Sequence, residues 1–208
     1  MTIKDPILLN LPFSIKTKNL FIRPCMPGDG KMAYEAFLET IDQLKEWFGW
    51  AHNINEANDI EKTYRMFFAN FILRKEFQFI IFQEEKFLGS CALHDINWRV
   101  PSAKMGYWCR ESEQRKGYMR EAISVLTIYA FEHIGIKRLE INCNDENLRS
   151  AKLAEKLGFK LEVIAPGLVN DAKGSELKIG RSYARYNTEG LDKAILIDIQ
   201  NNLSIKTC

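Results

Sequence analysis

The stretch Gln114-Arg115-Lys116-Gly117-Tyr118-Met119-Arg120 sets two adjacent cations and a glycine between a β-prone run and an amphipathic helical one. The first turn of a helix leaves about four backbone N–H groups unpaired and carries the positive end of the dipole, which suits a pyrophosphate. Gly117 lets the backbone approach a phosphate closely, and Arg115 and Lys116 add charge. A solvated basic turn has the same composition, so the stretch alone does not decide between the two readings. Further along, Asn147-Leu148-Arg149-Ser150 has an amide, donor and acceptor at once, three residues before a hydroxyl. The same pair fits a helix N-cap and its first turn. His94-Asp95 sets an imidazole, with an ordinary pKa of about 6.5, beside a carboxylate, either for proton transfer or for structure. Cys109 and Cys143 fall in strand-like runs, where a thiol is usually a small buried hydrophobe.

Periodicity supplies the elements that must position these groups. Residues 19–23 form a short β-prone run stopped by Pro24, and Pro27 marks a place where a helix can begin. Ala33, Ala36, Phe37, Ile41 and Leu44 follow at helical spacing, ending near Trp47-Phe48-Gly49-Trp50. A second helix covers 54–74, with Tyr64, Phe67, Phe68 and Phe71 as its apolar, core-facing side. Strands at 77–82 and 87–96 flank Gln83-Glu84-Glu85-Lys86 as a hairpin, and 102–109 is a further strand. Residues 120–134 read as an amphipathic helix stopped by Gly135, with His133 on its core side, and 138–143 as a strand. A helix over 147–157 closes at Gly158, a strand covers 159–164, and a last strand at 183–186 pairs back through the 171–176 turn. An antiparallel run followed by alternating strands and helices predicts a mixed α+β or α/β sheet with helices packed on it. The stretch after Gly190 has no clear period.

Composition bounds the rest. At 208 residues, 46% hydrophobic and 27% charged, the chain suits one domain, with a core at about 19–187 and polar tails. A net charge of +2 gives little reason to expect nucleic acid, and no apolar run reaches the roughly 20 residues that span a bilayer. The five cysteines are scattered without a Cys-x-x-Cys pair, so neither a disulfide framework nor a metal site is expected. Without a signal peptide in the first ten residues, the expected compartment is the reducing cytoplasm.

The strand 102–109, the 114–120 turn, and Asn147-Leu148-Arg149-Ser150 through Glu155-Lys156-Leu157-Gly158-Phe159 occur in this order. Together they resemble the GNAT superfamily of acyl-CoA-dependent N-acyltransferases, and within it the RimJ/RimL branch of protein N-terminal acetyltransferases. Met119 stands where that family prefers a second glycine or an alanine. The resemblance implies a central mixed sheet, splayed between two strands, with helices on both faces, and acetyl-CoA as cosubstrate. It implies that the backbone from Gln114 to Arg120 holds the CoA pyrophosphate and that of Tyr107, Trp108 and Cys109 pairs with pantetheine. Asn147 is expected to hydrogen-bond pantetheine, and Ser150 to orient or protonate the departing thiolate. Trp47 and Trp50, with Phe48, end the first helix on the substrate side.

The base departs from the pattern. Lys104 and Val169 occupy the two positions where relatives carry a glutamate, leaving His94 first, then Asp95, Glu111 and Glu176. The expected acceptor is a protein N-terminal α-amine, with serine- or alanine-first peptides ahead of spermidine, and a homodimer is possible. A small amine such as a polyamine or an aminoglycoside is the second enzyme reading. A non-catalytic acyl-CoA-binding module, suggested by the absent glutamates, is a reading of another class.

Overall fold

The computed structural model describes residues 3–200. Nine strands form one sheet: β1 (Ser14–Thr17), β2 (Phe21–Pro24), β3 (Phe77–Gln83), β4 (Lys86–Asn97), β5 (Ser102–Cys109), β6 (Arg138–Asn144), β7 (Lys160–Asn170), β8 (Leu177–Arg185) and β9 (Leu196–Gln200). Their order is β7-β8-β6-β5-β4-β3-β2-β1-β9. All neighbours run antiparallel except β5 and β6. The sheet extends past both ends of the 19–187 stretch. β1 precedes it, with Ile15 fully buried, and β9 follows it to pair with β1. β9 is the edge strand and its partner lies far away in sequence, while β1 is a four-residue strand paired with the adjacent β2 and too short for a local period to announce it.

Helices α1 (Gly30–Trp47) and α2 (Ala57–Ile72) cover one face, and α3 (Tyr118–Tyr129) and α4 (Leu148–Lys156) the other. α1 starts at Gly30 rather than at Pro27, because the Asp29 carboxylate turns back to the Met26 N–H (2.7 Å) and pairs with Arg23. α3 starts at Tyr118, and its last turn widens into a π turn over Ala130–Ile134 before Gly135. α4 stops at the left-handed Gly158 (φ 73°). Among the described residues, no helix is long and apolar enough to cross a membrane. The four described cysteines are free thiols, and Cys208 lies outside the described residues.

The parallel pair is the feature that positions the site. β5 and β6 are joined at Ser102–Arg138, Ala103–Leu139 and Lys104–Glu140, and then they part. Met105–Cys109 stays paired with β4, and the far end of β6 stays with β8. The sheet is therefore splayed between its two central strands, with backbone edges facing the gap.

Candidate active site

The turn after β5 is held by α1. Arg110 Nε donates to Glu39 Oε2 (2.5 Å), the Ser112 N–H to Glu39 Oε1 (2.8 Å), and the Glu111 N–H to the buried Thr40 hydroxyl (3.0 Å). Burial raises the Glu39 pKa, but the hydrogen bonds from Ser112 and Arg110 outweigh it and hold the carboxyl at about 2. Gln114 is the centre of the clamp. Its Nε2 donates to Gln43 Oε1 (2.9 Å) and to the Cys109 carbonyl (3.1 Å), while its Oε1 accepts from Arg149 Nη1 (3.1 Å). One side chain thus ties α1, the end of β5 and α4 together.

Beyond Gln114 the backbone curls through left-handed conformations at Arg115 (φ 64°) and Gly117 (φ 89°) into α3. Among the described residues, none accepts a hydrogen bond from the backbone N–H groups of Arg115 through Arg120. The Glu121 N–H is the first to close, onto the Gly117 carbonyl (3.1 Å). These N–H groups border a groove of roughly 520 Å³ that also receives Arg115, Arg120, Arg149, Lys152 and Lys156. The concentration of cations and open N–H groups suits it to an anion. Lys116 is not among the lining cations. Its ammonium turns to Glu113 (2.9 Å), which also holds Lys86, so it is drawn away from the groove onto a shared carboxylate.

At its inner end the groove meets a small cavity of roughly 140 Å³ inside the splay. The Asn147 Oδ1 accepts the Ser150 N–H (3.1 Å) and caps α4, and its Nδ2 is the donor this amide offers a ligand. The Ser150 hydroxyl lies 2.9 Å from the Tyr107 hydroxyl. Burial pushes the Tyr107 pKa up, so this phenol stays protonated at neutral pH. Val169 also lines the junction and brings no titratable group to it.

On the opposite side the junction opens into a chamber of roughly 520 Å³ between α1, α2 and the sheet. Its floor follows the strand register. Gln78, Ala92 and Gly106 lie across β3, β4 and β5, and His94 lies beside Lys104. Trp47, Phe48 and Tyr107 line all three cavities. Trp50 closes the outer wall, 6.1 Å from Phe37 and 5.7 Å from Phe48 between ring centroids. His94 precedes a bulge in which Asp95 takes a left-handed conformation (φ 51°). The Asp95 carboxylate turns to Lys104 (3.0 Å) and lies 3.6 Å from His94 Nδ1. Burial lowers the His94 pKa, partly opposed by Asp95, so the imidazole is neutral at neutral pH.

A cationic groove and an aromatic chamber therefore meet at one hydroxyl pair. The family model for the acetyltransferase (GNAT) domain matches residues 19–160. The chain belongs to the GNAT acetyltransferases. Members of this family move an acetyl group from acetyl-CoA, so this protein is an acetyl-CoA-dependent acetyltransferase. It is 26% identical over 135 residues to the ribosomal-protein-serine acetyltransferase of Escherichia coli K12, covering 64% of this chain and 74% of that one. In fold it is similar to RimL, a ribosomal L7/L12 α-N-protein acetyltransferase in complex with coenzyme A. There the TM-score is 0.79 at 19% identity, over 84% of this chain and 98% of that chain. It is likewise similar to Mycobacterium smegmatis RimJ in complex with CoA-disulfide, with TM-score 0.76 and 17% identity over 88% and 90% of the two chains.

Within this GNAT fold the residues singled out from sequence fall into three places. Cys109, Gln114, Arg115, Gly117, Tyr118, Met119 and Arg120 border the groove, Asn147 and Ser150 the junction, and His94 and Trp50 the chamber. Trp108 faces both the chamber and the groove. The Cys109 carbonyl is already taken by Gln114, and the Trp108 carbonyl lies on the β4 side against Gly89, so the expected pairing edge at Tyr107, Trp108 and Cys109 narrows to Tyr107. Burial raises the thiol pKa of Cys109, to about 12, and that of Cys143, which marks neither as a thiolate. Glu111 and Glu176 line none of the three cavities, and Glu176 pairs with Lys178. Phe67, expected in the core, is a half-buried wall of the chamber. Sequence reasoning missed the clamp of Glu39, Thr40 and Gln43, the hydroxyl of Tyr107, and the chamber's Glu76. It also missed the basic stripe Arg149, Lys152 and Lys156, whose helical spacing was open to view.

Proposed function

We propose that this GNAT enzyme transfers acetyl from acetyl-CoA to a protein N-terminal α-amine, ribosomal-protein-like in kind, by direct attack. The observation that carries the proposal is the meeting of groove, junction and chamber at Trp47, Phe48 and Tyr107, beside the Ser150 hydroxyl. Its relatives that acetylate ribosomal proteins supply the acceptor class. The open N–H groups of the 115–120 turn hold the pyrophosphate, with Arg115 and Arg120 adding charge. The Tyr107 backbone and the Asn147 Nδ2 hold pantetheine in the splay. The neutral amine enters from the chamber and attacks the thioester carbonyl. His94 takes the amine proton, directly or through water, and collapse of the adduct expels the thiolate. Ser150 gives that thiolate its proton and is resupplied through Tyr107, which takes a proton back from solvent as His94 releases its own there.

Arg115→Glu removes one cation from the groove and adds an anion beside the turn. CoA affinity at low salt is expected to fall by about tenfold, and its dependence on salt to weaken. Calorimetry showing unchanged affinity would remove Arg115 from the site.

The His94 assignment sets a pH window. An imidazole with a pKa lowered by burial stays deprotonated down through its ordinary value, so activity that needs it neutral persists to about pH 6.5 and is lost below that. His94→Gln is expected to lower kcat and flatten this acidic limb of the rate profile. An unchanged limb would assign the proton to another acceptor.

The acceptor is tested by CoA release at matched concentrations. An α-amine has a pKa of about 7.7–8.0 against about 10.4 for a lysine side chain, so far more of it is neutral at pH 7. An enzyme without the relatives' glutamates gains most from such an amine. Short peptides with a free N-terminus are expected to turn over faster than spermidine, and a preference for spermidine would favour the small-amine reading.

A further inference from the structure

The chamber is far larger than a serine or alanine side chain needs. Its roughly 520 Å³ lies within the range of pockets that enclose whole small ligands, and it joins the reacting centre through the 140 Å³ junction. Three of the chain's four tryptophans, Trp47, Trp50 and Trp108, form its walls, so its surface is flat-sided and apolar. The hollow has a specific cause. Ala92 and Gly106 sit side by side in the register of β4 and β5, at the centre of a floor whose other positions carry larger residues. A Cβ built on Gly106 would come into van der Waals contact with the His94 imidazole (Nε2 at 3.5 Å), so His94 packs at the edge of this floor. The one carboxyl among the residues lining the chamber, Glu76, lies at its edge just before β3, hydrogen-bonded to Asn70, and burial raises its pKa toward the neutral form. The Lys104 ammonium is turned away to Asp95. Neither charge is set out as a partner for an ion.

We propose that the chamber is a selectivity pocket for a large apolar group, of leucine to phenylalanine size, borne next to the amine that is acetylated. This rests on the N-terminal reading above and narrows it to chains whose first residue is bulky and apolar. A small first residue would leave most of the hollow unfilled and forfeit that contact, whereas a ring or branched side chain between the tryptophan faces makes it.

The test compares peptides identical except for the first residue, Phe, Leu, Ser or Lys, by kcat/KM. Alongside them, 2-phenylethylamine is compared with ethanolamine, by turnover and by quenching of tryptophan fluorescence in the CoA complex. Phe and Leu are expected to exceed Ser by at least about tenfold, and phenylethylamine to exceed ethanolamine likewise. Ala92→Leu, which fills the floor, is expected to abolish that preference while CoA affinity and melting temperature hold. If no peptide reacts but phenylethylamine binds and turns over, the N-terminal reading fails and the pocket stands. A serine-first peptide matching the others, together with no preference between the two amines, overturns the pocket. A preference for lysine overturns it too, because Glu76 would then set the selection.

Discussion

Ser150→Ala is expected to lower kcat by about 10²-fold, with little change in the KM for acetyl-CoA. A group that protonates the departing thiolate is needed in the transition state, not for holding the cosubstrate. The fold is expected to survive, because the α4 cap uses the Ser150 backbone N–H and the Asn147 Oδ1, and both remain. Tyr107→Phe is expected to lower kcat less, since Ser150 keeps its own proton. The double variant is expected to fall short of the product of the two, because hydroxyls 2.9 Å apart act as one unit. A raised KM with kcat intact would make Ser150 a binding or capping residue instead.

The largest structural effect is expected at Gly89. This residue of β4 stands opposite Cys109 with φ 143°, and a Cβ there would lie 2.2 Å from the Trp108 carbonyl oxygen. The clash is with backbone, which cannot swing away. The backbone conformation is one that costs a side-chain-bearing residue about 1–3 kcal/mol, and the overpacking adds about as much. Gly89→Ala is thus expected to lower the melting temperature by roughly 10 °C. Because the displaced carbonyl belongs to the strand end that carries the Gln114 clamp, CoA affinity is expected to fall as well. A melting temperature within a degree or two of the parent would show that β4 and β5 slide apart at little cost.

Much of this architecture was legible because its signals are local. The bounds of β5 follow from a β-prone run between Pro101 and the polar 111–116 stretch, and Gly158 ends α4 because only a residue without a side chain takes its left-handed φ cheaply. The position of the 114–120 turn was readable from its cations and glycine. The side-chain partners were not. Gln114 meets Gln43, and Arg110 meets Glu39, each across 71 residues, and no period in the sequence links them. Likewise, Lys116 looks as available as Arg115 in the sequence. Only the folded chain brings the buried carboxylate of Glu113 against it. The chamber was hidden for a related reason. Ala92 and Gly106 are unremarkable small residues until strand pairing sets them side by side.

Where the acetyl group lands bears most directly on the proposed activity. A peptide with a free α-amine and an internal lysine, incubated with the enzyme and acetyl-CoA, is fragmented in a mass spectrometer to locate the added mass. The proposed geometry predicts acetyl on the α-amine, with loss of labelling in Ser150→Ala. Acetyl on the lysine side chain alone, or no transfer to any amine while CoA still binds the 114–120 turn, would contradict it.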